Sequence, residues 1–111
     1  MKISDINFQV QLDNNHIPDK IVWSATDKPK DGNDETNAIA ISVWDNKQNN
    51  TLRMDLWNKD MTTFDMKKFT VDSIGGLAQT LRNATSDDVM ADKMEALCAE
   101  LVKHINSEAK G

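Results

Sequence analysis

Nucleophilic chemistry in this chain has one thiol to draw on, Cys98, and acid–base or metal chemistry has two imidazoles, His16 and His104. A thiolate nucleophile needs a base held by a third group, whereas Cys98 falls on the apolar stripe of a helical run, where a thiol behaves as a small hydrophobe. His16 lies among turn residues and His104 near a helix end, where positive charge suits the dipole. Neither has a second nitrogen or sulfur ligand at metal spacing. Gly75-Gly76 sits inside a helical pattern and lacks the lysine of a phosphate loop, so it is no nucleotide cradle. Asp27, Asp31, Asn33, Asp34 and Glu35 carry oxygens suited to calcium, but Pro29 interrupts them and their spacing misses the calcium-loop pattern. Asn49-Asn50-Thr51 and Asn83-Ala84-Thr85 match the glycosylation triplet without a secretion signal ahead of them. No catalytic residue, cofactor site or metal site is therefore expected.

Recognition has better material. Trp44, Arg53, Asp55 and Trp57 share the outer face of a predicted hairpin, and Trp and Arg are enriched among residues that dominate protein interfaces. Asp55 lies two residues from Arg53 on one strand face, within reach of a charge pair. Local packing is the competing explanation, with Trp57 lying over the small Ala38, Ala40 and Ser42 of the neighbouring strand. The group is the candidate partner-binding site.

The elements that must carry it follow from periodicity. Ile6, Phe8, Val10 and Leu12 alternate with Asn7, Gln9 and Gln11, which is a strand with one face in a core. Asp13-Asn14-Asn15-His16 supplies turn chemistry, and pairing Val10 with Ile21 brings Phe8 opposite Trp23. Residues 26–37 hold Pro and Gly and no apolar anchor, so they are expected to be an exposed, flexible connection. Ala38 to Trp44 and Thr51 to Trp57 form a second hairpin, with Ile39, Ile41 and Val43 inward beside Leu52, Met54 and Leu56. From Thr62, a candidate N-cap with Asp65 three positions on, the period becomes helical. A single helix from about 63 to 84 would run ~33 Å, and Gly75-Gly76 within it predicts a kink or a close backbone approach. Thr85-Ser86-Asp87-Asp88 ends that helix and caps another, striped by Met90, Met94, Leu97, Cys98, Leu101 and Ile105, with Ser107 to Gly111 fraying.

Composition sets the class. A chain of 111 residues, 39% hydrophobic and 28% charged, suits one soluble domain that buries roughly 65% of the surface of the unfolded chain. The N-terminus shows no signal-peptide stretch, and one cysteine excludes an internal disulfide, so a cytoplasmic location is expected. A net charge of −5 with no basic cluster opposes nucleic acid and anionic lipid, and membrane insertion is not expected.

Three blocks, Ile21-Val22-Trp23-Ser24-Ala25-Thr26-Asp27, Ile41-Ser42-Val43-Trp44-Asp45 and Thr51-Leu52-Arg53-Met54-Asp55-Leu56-Trp57-Asn58-Lys59-Asp60-Met61, resemble the GldC family of bacterial gliding-motility proteins. Beyond Phe69 the likeness is one of helical character. The resemblance implies a non-enzymatic accessory protein of the gliding apparatus, whose machinery is associated with a cell-envelope secretion system for surface adhesins. It carries no active site across.

The expectation is a single α+β domain over 1–111, with a strand half over about 3–58, a helical half over about 62–107 and a flexible loop over about 26–37. Its four strands would form one antiparallel meander, with two C-terminal helices packed on the Ile6, Phe8, Trp23, Ile41, Met54 face. The function expected is protein–protein association with other gliding components, homodimerisation included. The alternative is a small binding module that encloses an apolar ligand or peptide between sheet and helices, lined by Met66, Met90 and Met94.

Overall fold

The computed structural model describes residues 1–27 and 34–110. The chain divides into two compact units, Met1–Met61 and Thr62–Gly111. The first is all strand and the second all helix.

In the strand unit, β1 (Ile6–Leu12) and β2 (Pro18–Ala25) form an antiparallel hairpin in the expected register, with Val10 opposite Ile21 and Phe8 opposite Trp23. The rings of Phe8 and Trp23 stack, their centroids 6.4 Å apart. Asp13 builds the turn: its Oδ1 accepts from Asn15 N at 2.8 Å and Ile17 N at 3.0 Å, while His16 takes a left-handed φ of 62°. A short β3 (Glu35–Thr36) adds to β2, and β4 (Ala38–Asp45) pairs with β5 (Asn50–Trp57) around a second Asp-anchored turn, in which Asp45 Oδ1 accepts from Lys47 N and Asn49 has φ 55°.

The single four-stranded meander is not what forms. The strands make two sheets, β1-β2-β3 and β4-β5. The reason is register. β3 meets β2 at Ile21↔Thr36 and Val22↔Glu35. Continued step by step, that ladder would set Ala38 against Asp19 and Ile39 against Pro18, the first residue of β2. Pro18 is the first residue of β2, so the ladder has no further residue of β2 for the rest of β4 to pair with. The chain bends at Asn37, and the hairpin that follows leaves the first sheet. The predicted connection over 26–37 is only partly visible, since residues 28–33 lie outside the described residues; its described end is already strand at Glu35–Thr36.

Asn58 takes over where the ladder stops. It is 5% exposed, the only buried polar residue among those described. Its backbone N–H donates to Asn37 O at 3.0 Å, and its Nδ2 donates to Asn37 Oδ1 at 3.2 Å and to Asp19 O at 3.5 Å. Its Oδ1 accepts from Asp60 N at 3.0 Å. One amide thus ties the base of the second hairpin to the start of β2 and to the chain beyond β5. Burial follows the same line: Ile21 is fully buried, and Ala38 and Ile39 at the hairpin base are buried. The wider face expected in the core is not. Ile6 is 69% exposed, Phe8 and Met54 are also exposed, and Trp23 and Ile41 are half-buried.

In the helical unit, α1 (Thr63–Thr85) starts at Thr62, whose hydroxyl accepts from Asp65 N at 3.0 Å. It ends on Ser86, held at φ 60° with its N–H on Arg82 O. Asp87 then caps α2 (Asp88–Lys110) by accepting from Met90 N at 3.0 Å. The tight connection makes the helices antiparallel neighbours, and Ala78 and Ala91 are fully buried. Cys98 Sγ contacts Val71 O at 3.7 Å, so the thiol does lie on the packed stripe. Of the two expectations at Gly75-Gly76, the close backbone approach is not found: α1 runs unbroken through them, and a Cβ at either glycine would meet no atom within 4 Å. α2 continues through Lys110, past Ser107 where fraying was expected to begin, with Glu108 held by Lys67 at 2.7 Å and Ser107 Oγ donating to His104 O; Gly111 lies outside the described residues.

Asn58→Ala strands the Asp19 and Asn37 oxygens and the Asp60 N–H, and is expected to lower unfolding free energy by about 1–3 kcal/mol in urea titrations; a change under about 0.5 kcal/mol would remove the latch. Gly76→Ala, inside an unbroken helix with open space at its Cβ, is expected to raise it by about 0.5–1 kcal/mol.

Candidate functional site

The register of the second hairpin assembles the expected recognition group. Ala38 lies opposite Trp57, Ala40 opposite Asp55, Ser42 opposite Arg53, and Trp44 opposite Thr51. Side chains alternate along a strand, so these residues share one face, with an indole at each end and a charge pair between them. Trp44 is 58% and Trp57 55% exposed, which places neither in a core. The two indoles lie on different strands, six residues apart along the ribbon, a distance of about 20 Å.

The charge pair is well formed. Arg53 Nη2 donates to Asp55 Oδ1 at 2.8 Å and Nε to Asp55 Oδ2 at 3.3 Å, a fork-to-fork arrangement. Arg53 Nη1 donates to Ser42 Oγ on the opposite strand. Each group is about half exposed, so the pair adds little to stability and acts mainly to hold the guanidinium flat against the ribbon. The group of Trp44, Arg53, Asp55 and Trp57 is thus brought to one surface. Ala38, buried directly across from Trp57, fits the packing explanation at that end only.

Sequence reasoning missed the reverse face. Val43 and Leu52 form a cross-strand pair and are 53% and 55% exposed, and Met54 joins them. The alternation assigned these residues inward, and a period of two cannot tell which faces a packing neighbour will reach. A ribbon of two strands with large apolar groups bare on both faces is marginal by itself.

The helical unit offers ion pairs rather than a reaction centre. Arg82 Nη1 donates to Asp88 at 2.8 Å, and Nη2 to Asp92 and Glu95 at 2.9 Å each, uniting the end of α1 with the first turns of α2. Hydrogen bonding to Glu95, then Asp92 and Asp88, holds the guanidinium still more firmly in its charged form. Lys68 is raised by its hydrogen bond to Asp72. Glu108 is lowered below the ordinary carboxylate range, first by the Lys67 hydrogen bond. His104 Nε2 lies 3.2 Å from the same carboxylate. Among the described residues no group of three His, Cys, Asp or Glu side chains converges as metal ligands. A hollow of about 190 Å³ lies between Phe64 and Ile105, beside Lys67 and Glu108, below the roughly 300–1,000 Å³ of drug-sized ligand pockets. Of the methionines expected to line a ligand site, Met66 and Met94 are half-buried in the helical unit and Met90 is exposed.

A family model described as gliding motility-associated protein GldC-like matches residues 18–107, from the start of β2 to near the end of α2. No curated protein and no solved structure matches the chain.

The Glu108 shift fixes a pH dependence. A lowered folded value means that its contribution is present above the unfolded carboxylate range and is lost as pH falls through the folded value. Chemical denaturation across a pH series is expected to show Glu108→Gln less stable than the parent near neutrality and the two converging in acid. A constant gap at every pH would refute the link.

Proposed function

The chain belongs to the GldC-like family of gliding motility-associated proteins, and from that membership we propose that it acts by protein–protein association in the gliding apparatus, as an accessory component that catalyses no reaction. The observation that carries this reading is the β4-β5 ribbon. Its Trp44, Arg53, Asp55 and Trp57 face is charge-balanced, half-exposed and flanked by indoles, the composition typical of the energetically dominant part of an interface. Indoles left in water contribute nothing to a folding core; covered by a partner, each buries on the order of 150–250 Å².

Other classes have less support. Net charge −5 opposes phosphate backbones, so nucleic acid is not the partner. No described helix is long and apolar enough to cross a membrane, and membrane insertion is no part of the proposal. The compartment in this reading is the cytoplasm, which suits a chain whose lone cysteine is unpaired. Fractionation of the tagged protein checks that assignment directly.

The association itself is tested by affinity capture from the native cell. The parent chain is expected to recover motility or envelope components, and the Trp44→Ser, Trp57→Ser double variant to lose them by at least about tenfold while keeping its circular dichroism. Equal recovery by both chains would remove this face from the function.

A further inference from the structure

We infer that the Trp44–Trp57 face is an interface for a second copy of this chain, joined face to face about a two-fold axis that runs across the strands; this rests on the reading that the face is an interface at all. The evidence is the order of sizes and charges along it. At one end Trp57 stands beside the small Ala38, and at the other Trp44 stands beside the small Thr51. Between them the Asp55 level is followed by the Arg53 level. A copy turned about an in-plane axis between those two levels lays β5 over β5 with reversed direction. Each Trp57 then faces Thr51 of the second copy, and each Trp44 faces Ala38. Bulk meets the small, exposed Thr51 where Trp57 lands, whereas Ala38 is already covered, so the charges decide the arrangement. In the middle, Asp55 of each copy faces Arg53 of the other.

That central contact has capacity to spare. A guanidinium has five N–H donors, and Arg53 commits three of them, two to its own Asp55 and one to Ser42. The carboxylate likewise keeps lone pairs beyond the two it uses. Two such pairs in opposition close a ring of four alternating charges. The other in-plane axis, along the strands, also sets indoles against small residues, but it places both charges opposite Ala40 and Ser42 and leaves them desolvated without new partners. Charge therefore selects the first arrangement. The patch is locally neutral although the chain carries −5, so it is the place where two like-charged copies meet without direct repulsion. A ribbon face about 20 Å long and two strands wide falls below the roughly 1,200–2,000 Å² of standard specific interfaces, so the dimer is weak and concentration-dependent.

Sedimentation velocity of the full chain over a concentration series tests this with a charge swap. The parent is expected to pass from monomer to dimer, and rising salt to weaken the dimer. Asp55→Arg makes the facing centre all positive and Arg53→Asp makes it all negative, so each variant alone is expected to dimerise at least about tenfold more weakly than the parent. Mixed in equal amounts the two are expected to recover association, because each position again meets the opposite charge. Recovery also shows that both variants are folded. A parent that stays monomeric throughout, or variants that dimerise as the parent does, or a mixture that shows no recovery, would overturn the inference. If the double tryptophan variant still loses motility components in the capture experiment while the parent stays monomeric, self-association fails and the partner-binding reading stands; if neither assay responds to the face, both fail.

Discussion

The strand unit depends on where β2 begins. A β-ladder advances only while both strands have residues to offer, and from the Ile21↔Thr36 pair the ladder reaches Pro18 within three steps. β2 starts at that residue, and the hairpin connection lies directly behind it. Everything after Asn37 must find its hydrogen bonds elsewhere. β4 finds them on β5, and Asn58 supplies the few that the junction lacks. A buried amide with its donors and its acceptor engaged is expensive to disturb, so the departure point of the ribbon is held by chemistry that tolerates little substitution.

Separation from the first sheet gives the ribbon its character. A strand in mid-sheet has its surroundings decided by neighbours on two sides; within the strand unit, this two-stranded ribbon is buried only at its base. Burial is confined to Ala38, Ile39 and Asn58 there, while Trp44, Val43, Leu52 and Met54 nearer the tip stay in contact with solvent. The same physics that ends the sheet therefore leaves large apolar groups without cover. The chain belongs to the GldC-like family of gliding motility-associated proteins, and in the function proposed above a partner supplies that cover.

Local features were legible in the sequence because they depend on neighbours a few residues apart. The alternation over Ile6–Leu12, the Phe8 and Trp23 pairing, the Thr62 cap and the stop at Ser86-Asp87 are settled by side chains within one turn or one hairpin. The grouping of Trp44, Arg53, Asp55 and Trp57 was legible for the same reason, since strand parity and turn length determine it. Sheet membership was not. It turns on how many residues of β2 remain when β3 arrives, a long-range register passing across residues 28–33 that no local pattern encodes. Asn58 was invisible as a key residue because its partners, Asp19 and Asn37, lie 39 and 21 positions away. Gly75-Gly76 suggested a close backbone approach, but the helix continues through them with open space at each Cβ position.

The connection between the helices has a kinetic corollary. With only Ser86 and Asp87 between them, the first contacts of α1 with α2, such as Arg82 with Asp88, close a loop of a handful of residues at small entropic expense. Docking can then zip outward toward Lys67 and Glu108, each step shortening the search for the next. In the strand unit the β2-β3 pairing must first draw together residues on either side of a longer excursion, a slower event for a chain emerging from the ribosome. Until it happens the apolar ribbon has no anchored base, so the interval between synthesis and that pairing is when this protein is most exposed to aggregation.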